Sequence, residues 1–427
     1  MLDVSRIRTD PEQVREALER RGSESADGAL ARIAELDDTR RSLIGEGDVL
    51  KARRNTASRE VAERRRAGDD AGELIAEMRQ VGERVSTIDG RLRDIDAELH
   101  DLLLRTPNLP DDDVPAGGEA ENRIVRTHGE PTNFAFEPKP HWELATDLGI
   151  LDLPAGAKVA GSGFPVYRGV GARLQRALVS WMLDLHTREH GYTEVSPPYL
   201  VNRAAMTGTG QFPKFVEDGD AYELAGDDLF LIPTAEVPVT NFHARELLDG
   251  DSLPIAYAAY SPCFRREAGA AGKDTRGLTR VHQFDKVELV RFERPQDSEA
   301  ALETLTGHAE RVLELLEIPF RRVLLAGGDL GFASAKTYDL EVWGAGVGRW
   351  LEVSSCSNFR DYQARRAEIR FRPAPGEKPE YVHTLNGSGV ALPRTTIALL
   401  ENNQSQDGSV TVPEVLRPYL GADRISP

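Results

Sequence analysis

A run of apolar residues spaced alternately four and three positions apart constrains the N-terminal quarter of this chain. The run comprises Leu74, Met78, Val81, Val85, Ile88, Leu92, Ile95, Leu99 and Leu102. This spacing is that of a coiled-coil seam, in which one narrow face of a long helix packs against a second helix. A helix of this kind needs a partner of similar length.

A second, sparser apolar stripe lies upstream and supplies that partner. It comprises Ile33, Leu36, Leu43 and Leu50, and residues 67–72 between the two stripes, Ala-Gly-Asp-Asp-Ala-Gly, favour a turn. The two helices are therefore predicted to fold back on each other as an antiparallel hairpin. At ~1.5 Å per residue, helices of roughly 35 residues would each be about 50 Å long, so the hairpin should project into solvent.

The distal part of the predicted hairpin is basic, whereas the whole chain has a formal net charge of −17. The whole-chain charge argues against a protein that coats nucleic acid nonspecifically. The distal part carries seven Lys or Arg residues against only Glu60 and Glu63, a local surplus of five positive charges. The candidate RNA-contacting residues are Lys51, Arg53, Arg54, Asn55, Arg59, Arg64, Arg65 and Arg66. These charges either solvate an exposed coiled coil or contact a phosphate backbone, and the charge pattern leaves both interpretations open.

The linker that follows the hairpin marks a domain boundary. Residues 106–118 are rich in proline, glycine and aspartate, which end a helix. A length of 427 residues also exceeds one ordinary core. We therefore expect an N-terminal helical arm over residues 1–105, a linker over 106–120 and a catalytic domain over 121–427, in which short β-rich segments alternate with amphipathic helices.

Cysteine usage and apolar runs bear on compartment and metal content. Cys263 and Cys356 stand far apart, without CxxC or Cys/His spacing, so neither a disulfide framework nor a zinc site is expected. The first eight residues lack the apolar core of a secretory signal, and no apolar run approaches a membrane span. A cytoplasmic protein without a membrane partner is the expected class.

Two β-rich segments carry the strongest chemical signal. Residues 264–267 read Phe-Arg-Arg-Glu and are separated by a Gly/Ala-rich loop from a segment that ends at Glu288. Because side chains alternate along a strand, each segment should present one polar face. The side chains concerned are Arg265 and Glu267 on the first segment and Arg280, Phe284 and Glu288 on the second. Arginines for phosphate, a ring for a base and carboxylates for an ammonium or hydroxyl group suit a nucleoside triphosphate beside an amino acid.

A glycine-containing segment near the C-terminus could bind the far end of a triphosphate. Residues 386–394 run from Asn386 through two glycines to Pro393 and Arg394, directly ahead of a helical run. Glycines allow close ligand approach, and Pro393 suits the start of a helix. Arg394 should then lie in the first turn and face a phosphate together with the positive end of the helix dipole.

Two shorter segments could complete the site. Glu352 and Ser355 on a predicted strand could supply the hard oxygen ligands that Mg²⁺ prefers beside substrate phosphates. Thr234 and Glu236, two positions apart, should share the face of a strand end and could hold an α-ammonium group. Because no nucleophile-and-base pair is evident, the implied chemistry is in-line attack on phosphorus by a substrate carboxylate, which needs positioning and charge stabilisation.

These segments resemble the motifs of the seryl-tRNA synthetase family, a class II aminoacyl-tRNA synthetase family, and the resemblance covers nearly the whole chain. Residues 191–198 resemble motif 1, residues 264–267 with 280–284 resemble motif 2, and residues 387–394 resemble motif 3. Residues 234–236 and 386–389 resemble the serine-specific segments of bacterial members. The resemblance implies an α+β fold with an antiparallel sheet of six to eight strands flanked by helices, a homodimer joined partly through motif 1, and a coiled-coil arm that reaches tRNA-Ser.

The resemblance also implies roles for individual residues. The implied ATP-binding residues are Arg265, Arg266, Glu267, Arg280, Val281, Phe284, Glu352, Val353, Ser354, Ser355 and Arg394, of which Arg265, Glu267 and Arg394 would be catalytic. Glu352 and Ser355 would hold Mg²⁺. The implied serine-binding residues are Thr234, Ala235, Glu236, Glu288, Asn386 and Ser388.

The reaction implied is activation of L-serine with ATP to seryl-adenylate, followed by transfer of serine to the 3′ end of tRNA-Ser, with selenocysteine tRNA as a further possible substrate. One alternative is a synthetase paralogue that supplies seryl-adenylate to a carrier protein or a natural-product pathway. The alternative from another class is a non-enzymatic coiled-coil RNA-binding or scaffold protein. The phosphate- and metal-binding positions would have no use in that last case.

Overall fold

A computed structural model describes residues 1–22, 26–268 and 276–427. Most of the Gly/Ala-rich loop predicted after Glu267 therefore lies outside the described residues. The α-helices of the described part are α1 (Val4–Thr9), α2 (Pro11–Arg20), α3 (Ala26–Ala67), α4 (Gly72–Arg105), α5 (His141–Asp147), α6 (Leu153–Ala160), α7 (Val170–Arg188), α8 (Arg203–Gly208), α9 (Lys214–Glu217), α10 (Glu236–Thr240), α11 (Ser298–Leu315), α12 (Tyr362–Ala367), α13 (Leu392–Asn402) and α14 (Arg417–Leu420).

The strands of the described part are β1 (Arg123–His128), β2 (Thr193–Glu194), β3 (Leu200–Asn202), β4 (Leu229–Leu231), β5 (Leu247–Asp249), β6 (Ile255–Phe264), β7 (Gln283–Glu293), β8 (Phe320–Leu324), β9 (Lys336–Gly344), β10 (Arg349–Asn358), β11 (Arg370–Arg372), β12 (Glu380–Tyr381), β13 (His383–Ala391), β14 (Val410–Thr411) and β15 (Arg424–Ile425). The chain divides into two compact units. One comprises Leu2–Glu19 and Ser23–Pro107, and the other comprises Met1, Arg20–Gly22 and Asn108–Pro427.

The first unit contains the predicted helical hairpin. Helices α3 and α4 pack side by side, and 42 residues make α3 longer than expected. Most of the predicted seam is buried, but Leu50, Met78, Val81 and Leu92 are only half-buried, and the last buried position of α4 is Leu103 rather than Leu102. The buried seam residues are Ile33, Leu36 and Leu43 on α3 and Leu74, Val85, Ile88, Ile95, Leu99 and Leu103 on α4.

Ion pairs flank this seam and fix the antiparallel register. Arg32 pairs with Glu98 at 2.7 Å, and Arg84 pairs with Glu46 at 2.6 Å. All four side chains are more than a third exposed, so solvent screens the attraction. Burial of the apolar seam therefore accounts for most of the stability of the hairpin, and the ion pairs select how the helices align.

The second unit is built around an eight-stranded sheet in the order β1-β8-β9-β10-β13-β7-β6-β2. Neighbouring strands are antiparallel except for the edge pair β2 and β6, which is parallel. Helices α7, α11 and α13 cover one face and form the main apolar core with it. The predicted α+β class with a helix-flanked antiparallel sheet is confirmed. In the described part of the chain, no helix is both long and apolar enough to cross a membrane.

Local structure differs from the prediction at the first polar segment. Strand β6 ends at Phe264 and β7 begins at Gln283, so Arg265, Glu267 and Arg280 lie outside the strands. The prediction that they share strand faces is wrong, because the ladder closes at the Phe264–Gln283 pair and the chain then turns, with Glu267 at φ +52°. Phe284 and Glu288 do lie on β7 as predicted.

Two further expectations about local structure are also wrong. Residues 234 and 235 lie directly ahead of helix α10, which begins at Glu236, so this segment is not a strand end. Gly387 lies within β13, where a Cβ atom would come within 2.3 Å of Leu305 Cδ2 and 2.9 Å of Cys356 Sγ. This glycine therefore allows α11 and β10 to pack closely against β13, and it serves the core rather than the approach of a ligand.

Candidate active site

The face of the sheet opposite the main core holds a cavity of about 570 Å³. Fourteen of the seventeen residues predicted to bind a nucleotide or an amino acid line it. They are Thr234, Glu236, Arg265, Glu267, Arg280, Val281, Phe284, Glu288, Glu352, Val353, Ser355, Asn386, Ser388 and Arg394. Residues up to 160 positions apart in sequence therefore meet in one cavity of this unit.

Three predicted residues do not line the cavity. Ala235 is fully buried in an apolar cluster with Val239 and Val290. The guanidinium of Arg266 lies over the ring of Tyr222 at 5.7 Å. Ser354 lies on the opposite side of β10 from its neighbour Ser355, and its hydroxyl donates to the carbonyl of Ser388 at 2.6 Å. Ser354 thus supports β13 from beneath the cavity.

A β-bulge explains how Glu352 and Ser355 come to line the same cavity. Residues three apart on a regular strand point to opposite faces. In the β9–β10 ladder Glu352 pairs with Glu341, whereas Ser354 pairs with Leu340, so Val353 is an extra residue. The inserted residue restores a common face for the carboxylate and the hydroxyl. The sequence spacing alone does not reveal this bulge.

The arginines of the cavity are held in place by other parts of its wall. Arg265 lies over the ring of Phe284 at 5.3 Å, and Arg280 forms an ion pair with Glu267. Arg394 lies in the first turn of α13, as predicted. Its Nη1 donates to the carbonyl of Glu352 at 2.7 Å and its Nε donates to the carbonyl of Thr279 at 3.2 Å. These fixed cations form one end of the cavity.

The other end of the cavity is a cluster of buried polar side chains. Glu288 and Ser388 stand directly opposite each other in the β7–β13 ladder. Glu288 is fully buried, and its Oε1 accepts a hydrogen bond from Asn386 Nδ2 at 3.0 Å. Its Oε2 lies 2.5 Å from the ammonium of Lys286. Oε1 is therefore hydrogen-bonded, whereas Oε2 is ion-paired but accepts no hydrogen bond within the described part of the chain.

Sequence reasoning missed two residues of this cluster. Lys286 donates to the hydroxyl of Thr234 at 2.8 Å, in addition to its ion pair with Glu288. Gln363 on α12 donates to Glu236 Oε1 at 2.6 Å. Lys286 could have been found, because it stands two positions before Glu288 on the same strand face. Gln363 carries no such signal, since it lies 127 positions from Glu236 in sequence and no strand or helix spacing connects the two.

The Glu236 carboxyl is the most perturbed acid of the cavity. Burial raises the pKa of Glu236 to about 7, and the nearby charge of Glu288 adds to the rise. The hydrogen bond from Gln363 and the charges of Lys286 and Arg265 oppose it. A cationic ligand group at this point would favour the ionised form.

The cavity can hold a hard cation only with help from a ligand. Within residues 1–22, 26–268 and 276–427, no three His, Cys, Asp or Glu side chains form a group able to hold a metal ion. Glu352 and Ser355 supply one carboxylate and one hydroxyl beside the arginines. That donor set fits Mg²⁺, which binds through one or two carboxylates and takes its other ligands from phosphates and water.

Family profiles and sequence relatives all relate this chain to aminoacyl-tRNA synthetases. The family profile described as "tRNA synthetase class II core domain (G, H, P, S and T)" matches residues 220–403, and "Seryl-tRNA synthetase N-terminal domain" matches residues 1–110. A serine–tRNA ligase of Geobacillus kaustophilus is 58% identical over 422 residues, covering 99% of each chain. That of Carboxydothermus hydrogenoformans is 54% identical, covering 100% of this chain and 99% of the relative.

Solved structures of seryl-tRNA synthetases have the same fold as this chain. The crystal structure of seryl-tRNA synthetase from Pyrococcus horikoshii complexed with ATP superposes with a TM-score of 0.95 at 39% identity, covering 100% of both chains. The cytoplasmic serine–tRNA ligase from Naegleria fowleri in complex with AMP gives 0.89 at 30% identity, covering 100% of this chain and 99% of that one. The fold is that of a class II aminoacyl-tRNA synthetase. Within this class, the chain belongs to the seryl-tRNA synthetase family.

Proposed function

We propose that this protein is a serine–tRNA ligase that activates L-serine with ATP and then transfers the seryl group to the 3′ end of tRNA-Ser. The observation that carries the proposal is the single cavity, which joins fixed arginines at one end to a buried Glu236–Glu288–Lys286 cluster at the other. Relatives that share more than half of their residues with this chain over its full length are serine–tRNA ligases. The paralogue and the scaffold alternatives have no comparable support.

The arginines are assigned to ATP. Arg265 and Arg394 meet the triphosphate, Phe284 stacks on the base, and the Arg280–Glu267 pair contributes to the same subsite with Val281 beside it. The activation step is attack by the serine carboxylate oxygen on the α-phosphorus, which forms a new P–O bond and expels pyrophosphate. Cations already held in place stabilise the charge that develops on the phosphate oxygens without reorganisation.

A magnesium ion fits this proposal. Glu352 and Ser355 would hold it, and it would neutralise phosphate charge when bound. Arg394 contributes to the same function directly, because its hydrogen bond to the Glu352 carbonyl fixes a guanidinium beside that carboxylate. The residues of β10 and α13 thus present a cation and hard oxygen ligands to one group of phosphates.

The buried cluster is assigned to serine. Glu236 and Thr234 lie where an ammonium group can bind, and Glu288 and Ser388 lie opposite each other where a substrate hydroxyl can bind. Asn386 holds Glu288 in orientation. If alanine entered, these buried polar groups would be left unpaired, which can discriminate by roughly 10⁴-fold.

The hairpin is assigned to tRNA. Lys51 is paired with Asp89 and Arg53 with Glu77, so these two predicted contacts are partly neutralised within the arm. The better candidates are the exposed arginines Arg54, Arg59, Arg65 and Arg66, which have no ion-pair partner within the described part of the chain. Arg64 contacts the Asp70 carbonyl, and Asn55 is exposed beside Arg54.

These assignments give each part of the chain a role. Residues 1–105 form the tRNA-binding arm, 106–120 the linker and 121–427 the catalytic domain. The protein works in the cytoplasm as a homodimer that meets partly through residues 191–198. Strand β2 lies within that segment at the edge of the sheet, and both of its residues are exposed, which suits such an interface.

The proposal is tested by two assays on one preparation. Exchange of pyrophosphate into ATP should depend on serine, and charging of total tRNA with labelled serine should occur. Exchange without charging would favour the paralogue. Neither activity, or exchange that depends on another amino acid, would contradict the proposal.

The pKa of Glu236 gives a pH dependence for serine use. With a pKa of about 7 in the free enzyme, Glu236 is mostly ionised above pH 7 and mostly protonated below it. A neutral carboxyl holds an ammonium group less well, so kcat/KM for serine should fall roughly eightfold between pH 7.5 and pH 6, following the ionised fraction. The measurement is serine-dependent exchange across this range at saturating ATP.

The Glu236→Gln variant is the control for this dependence. It should show a low kcat/KM for serine that no longer changes with pH, because the titrating group is gone. If the variant instead kept the pH dependence of the unmodified protein, the dependence would belong to a different group.

A further inference from the structure

We propose that His141 is a positioning residue for ATP binding: with Glu401 it fixes the backbone of residues 277–280 and thereby the two arginines attached to that segment. The inference rests on the proposed function, since it assigns a role within the ATP end of the same cavity. Neither His141 nor Glu401 lines the cavity.

The His141–Glu401 pair is fully buried and has a defined protonation pattern. Glu401 Oε1 accepts from the backbone N–H of His141 at 2.8 Å and lies 2.8 Å from its ring Nδ1. Glu401 Oε2 accepts from the backbone N–H groups of Gly346 and Val347. A carboxylate that receives backbone donors on both oxygens is an acceptor, so the ring proton is placed on Nδ1 and Nε2 is left with a free lone pair.

The free lone pair of Nε2 accepts a hydrogen bond from the backbone of residues 277–280, which lead back to the cavity. The backbone N–H of Leu278 donates to His141 Nε2 at 2.9 Å. The preceding residue, Gly277, has φ +66°, and a Cβ atom there would lie 2.2 Å from Nε2. Only glycine lets the backbone approach the imidazole this closely. The position of the segment is therefore fixed by one specific tautomer of one buried ring.

The next two residues connect this contact to the arginines. The carbonyl of Thr279 accepts from Arg394 Nε at 3.2 Å, and Arg280 pairs with Glu267. Arg394 and Glu401 lie on the same face of α13, seven residues or about two turns apart. One rigid helix thus holds the segment twice, directly at Thr279 and through His141 at Leu278. Displacement of the segment would shift Arg280 and deprive Arg394 of a partner.

A neighbouring contact supplies a spectroscopic signal. The guanidinium of Arg276 lies over the indole of Trp142 at 5.0 Å, and Trp142 follows His141 at the start of α5. Release of the segment from His141 should also move Arg276 away from this indole. The fluorescence of Trp142, obtained as the difference between each protein and its Trp142→Phe counterpart, therefore reports on the contact.

The test compares His141→Phe with His141→Gln in the full-length protein. Phenylalanine keeps a planar ring without an acceptor, whereas glutamine retains a carbonyl oxygen near the place of Nε2. His141→Phe should raise KM for ATP by about tenfold to a hundredfold, because a buried N–H loses its acceptor. KM for serine should change less than about threefold, and the Trp142 signal should shift. His141→Gln should recover most of the ATP affinity.

Other outcomes are equally informative. His128→Phe is the matched control, since His128 at the end of β1 stacks on Phe320 of β8 and does not line the cavity. This variant should leave both KM values unchanged. If His141→Phe does not fold, Glu401→Gln takes its place and should raise KM for ATP selectively. The inference is overturned if the variants change both KM values equally, or change neither while only the melting temperature falls. Failure of the proposed function differs, because the unmodified protein itself would then show no serine-dependent exchange.

Discussion

Replacing Arg265 with alanine is expected to lower the rate of serine-dependent ATP–pyrophosphate exchange on the order of 10³-fold. Arg265 lies over Phe284 and lines the cavity, and its charge also acts on the buried Glu236. A fixed cation aimed at developing phosphate charge contributes more in such a site than in water, so its removal costs much of the rate. The measurement is the exchange rate at saturating serine over a range of ATP concentrations.

The adjacent arginine provides a matched control. Arg266 carries the same charge one residue later, but its guanidinium lies over Tyr222 and does not line the cavity. Arg266→Ala should therefore retain exchange within about tenfold of the unmodified rate. Equal losses in the two variants would show that the net charge of the segment matters rather than the position of Arg265, and the assignment of Arg265 to ATP would fail.

Removing three distal arginines of the arm should abolish most tRNA charging while exchange continues. The triple variant Arg59→Ala, Arg65→Ala and Arg66→Ala removes exposed charges near the turn of the hairpin. If each contacts a phosphate, kcat/KM for tRNA should fall on the order of 10²-fold. The slope of log K against log salt should also become shallower by roughly 2–3 units. Filter binding and aminoacylation at several salt concentrations measure both effects.

The same charge change farther from the turn of the hairpin is the control. Arg41, Arg91 and Arg93 are also exposed, but they lie far from the turn between α3 and α4. Their replacement by alanine should leave charging and its salt dependence nearly unchanged. If both triple variants lose charging equally, the effect comes from overall charge. The distal arginines would then be interpreted as solvating an exposed coiled coil rather than contacting tRNA.

The helical arm was predicted closely because its signal is periodic. Apolar residues at alternating spacings of four and three indicate a helix that packs along one face against another helix. A turn-forming segment between two such stripes indicates that the second helix runs antiparallel to the first. The helices α3 and α4 follow, with differences of a few residues at their ends. Arg394 in the first turn of α13 was predictable for a similar local reason, namely a proline at the start of a helix.

Most of the predicted site residues line the cavity, but the sequence did not predict the backbone conformation of the segments that carry them. Arg265, Glu267 and Arg280 line the cavity, yet none lies on a strand. Two-residue alternation assumes that the ladder continues, and it ends where cross-strand hydrogen bonds stop. Glu352 and Ser355 share a face because of a bulge, which depends on the register of β9.

The linear order of residues therefore determined the long hairpin, the start of α13 and the set of side chains able to hold a nucleotide beside an amino acid. Only the tertiary structure decided which partners those side chains have: Lys286 for Glu288, Gln363 for Glu236, and Glu401 for His141. The physical reason is that periodicity and capping act over a few residues, whereas a buried polar group must find its partner in whatever element packs beside it. For Glu401 and His141 that partner lies 260 positions away in sequence.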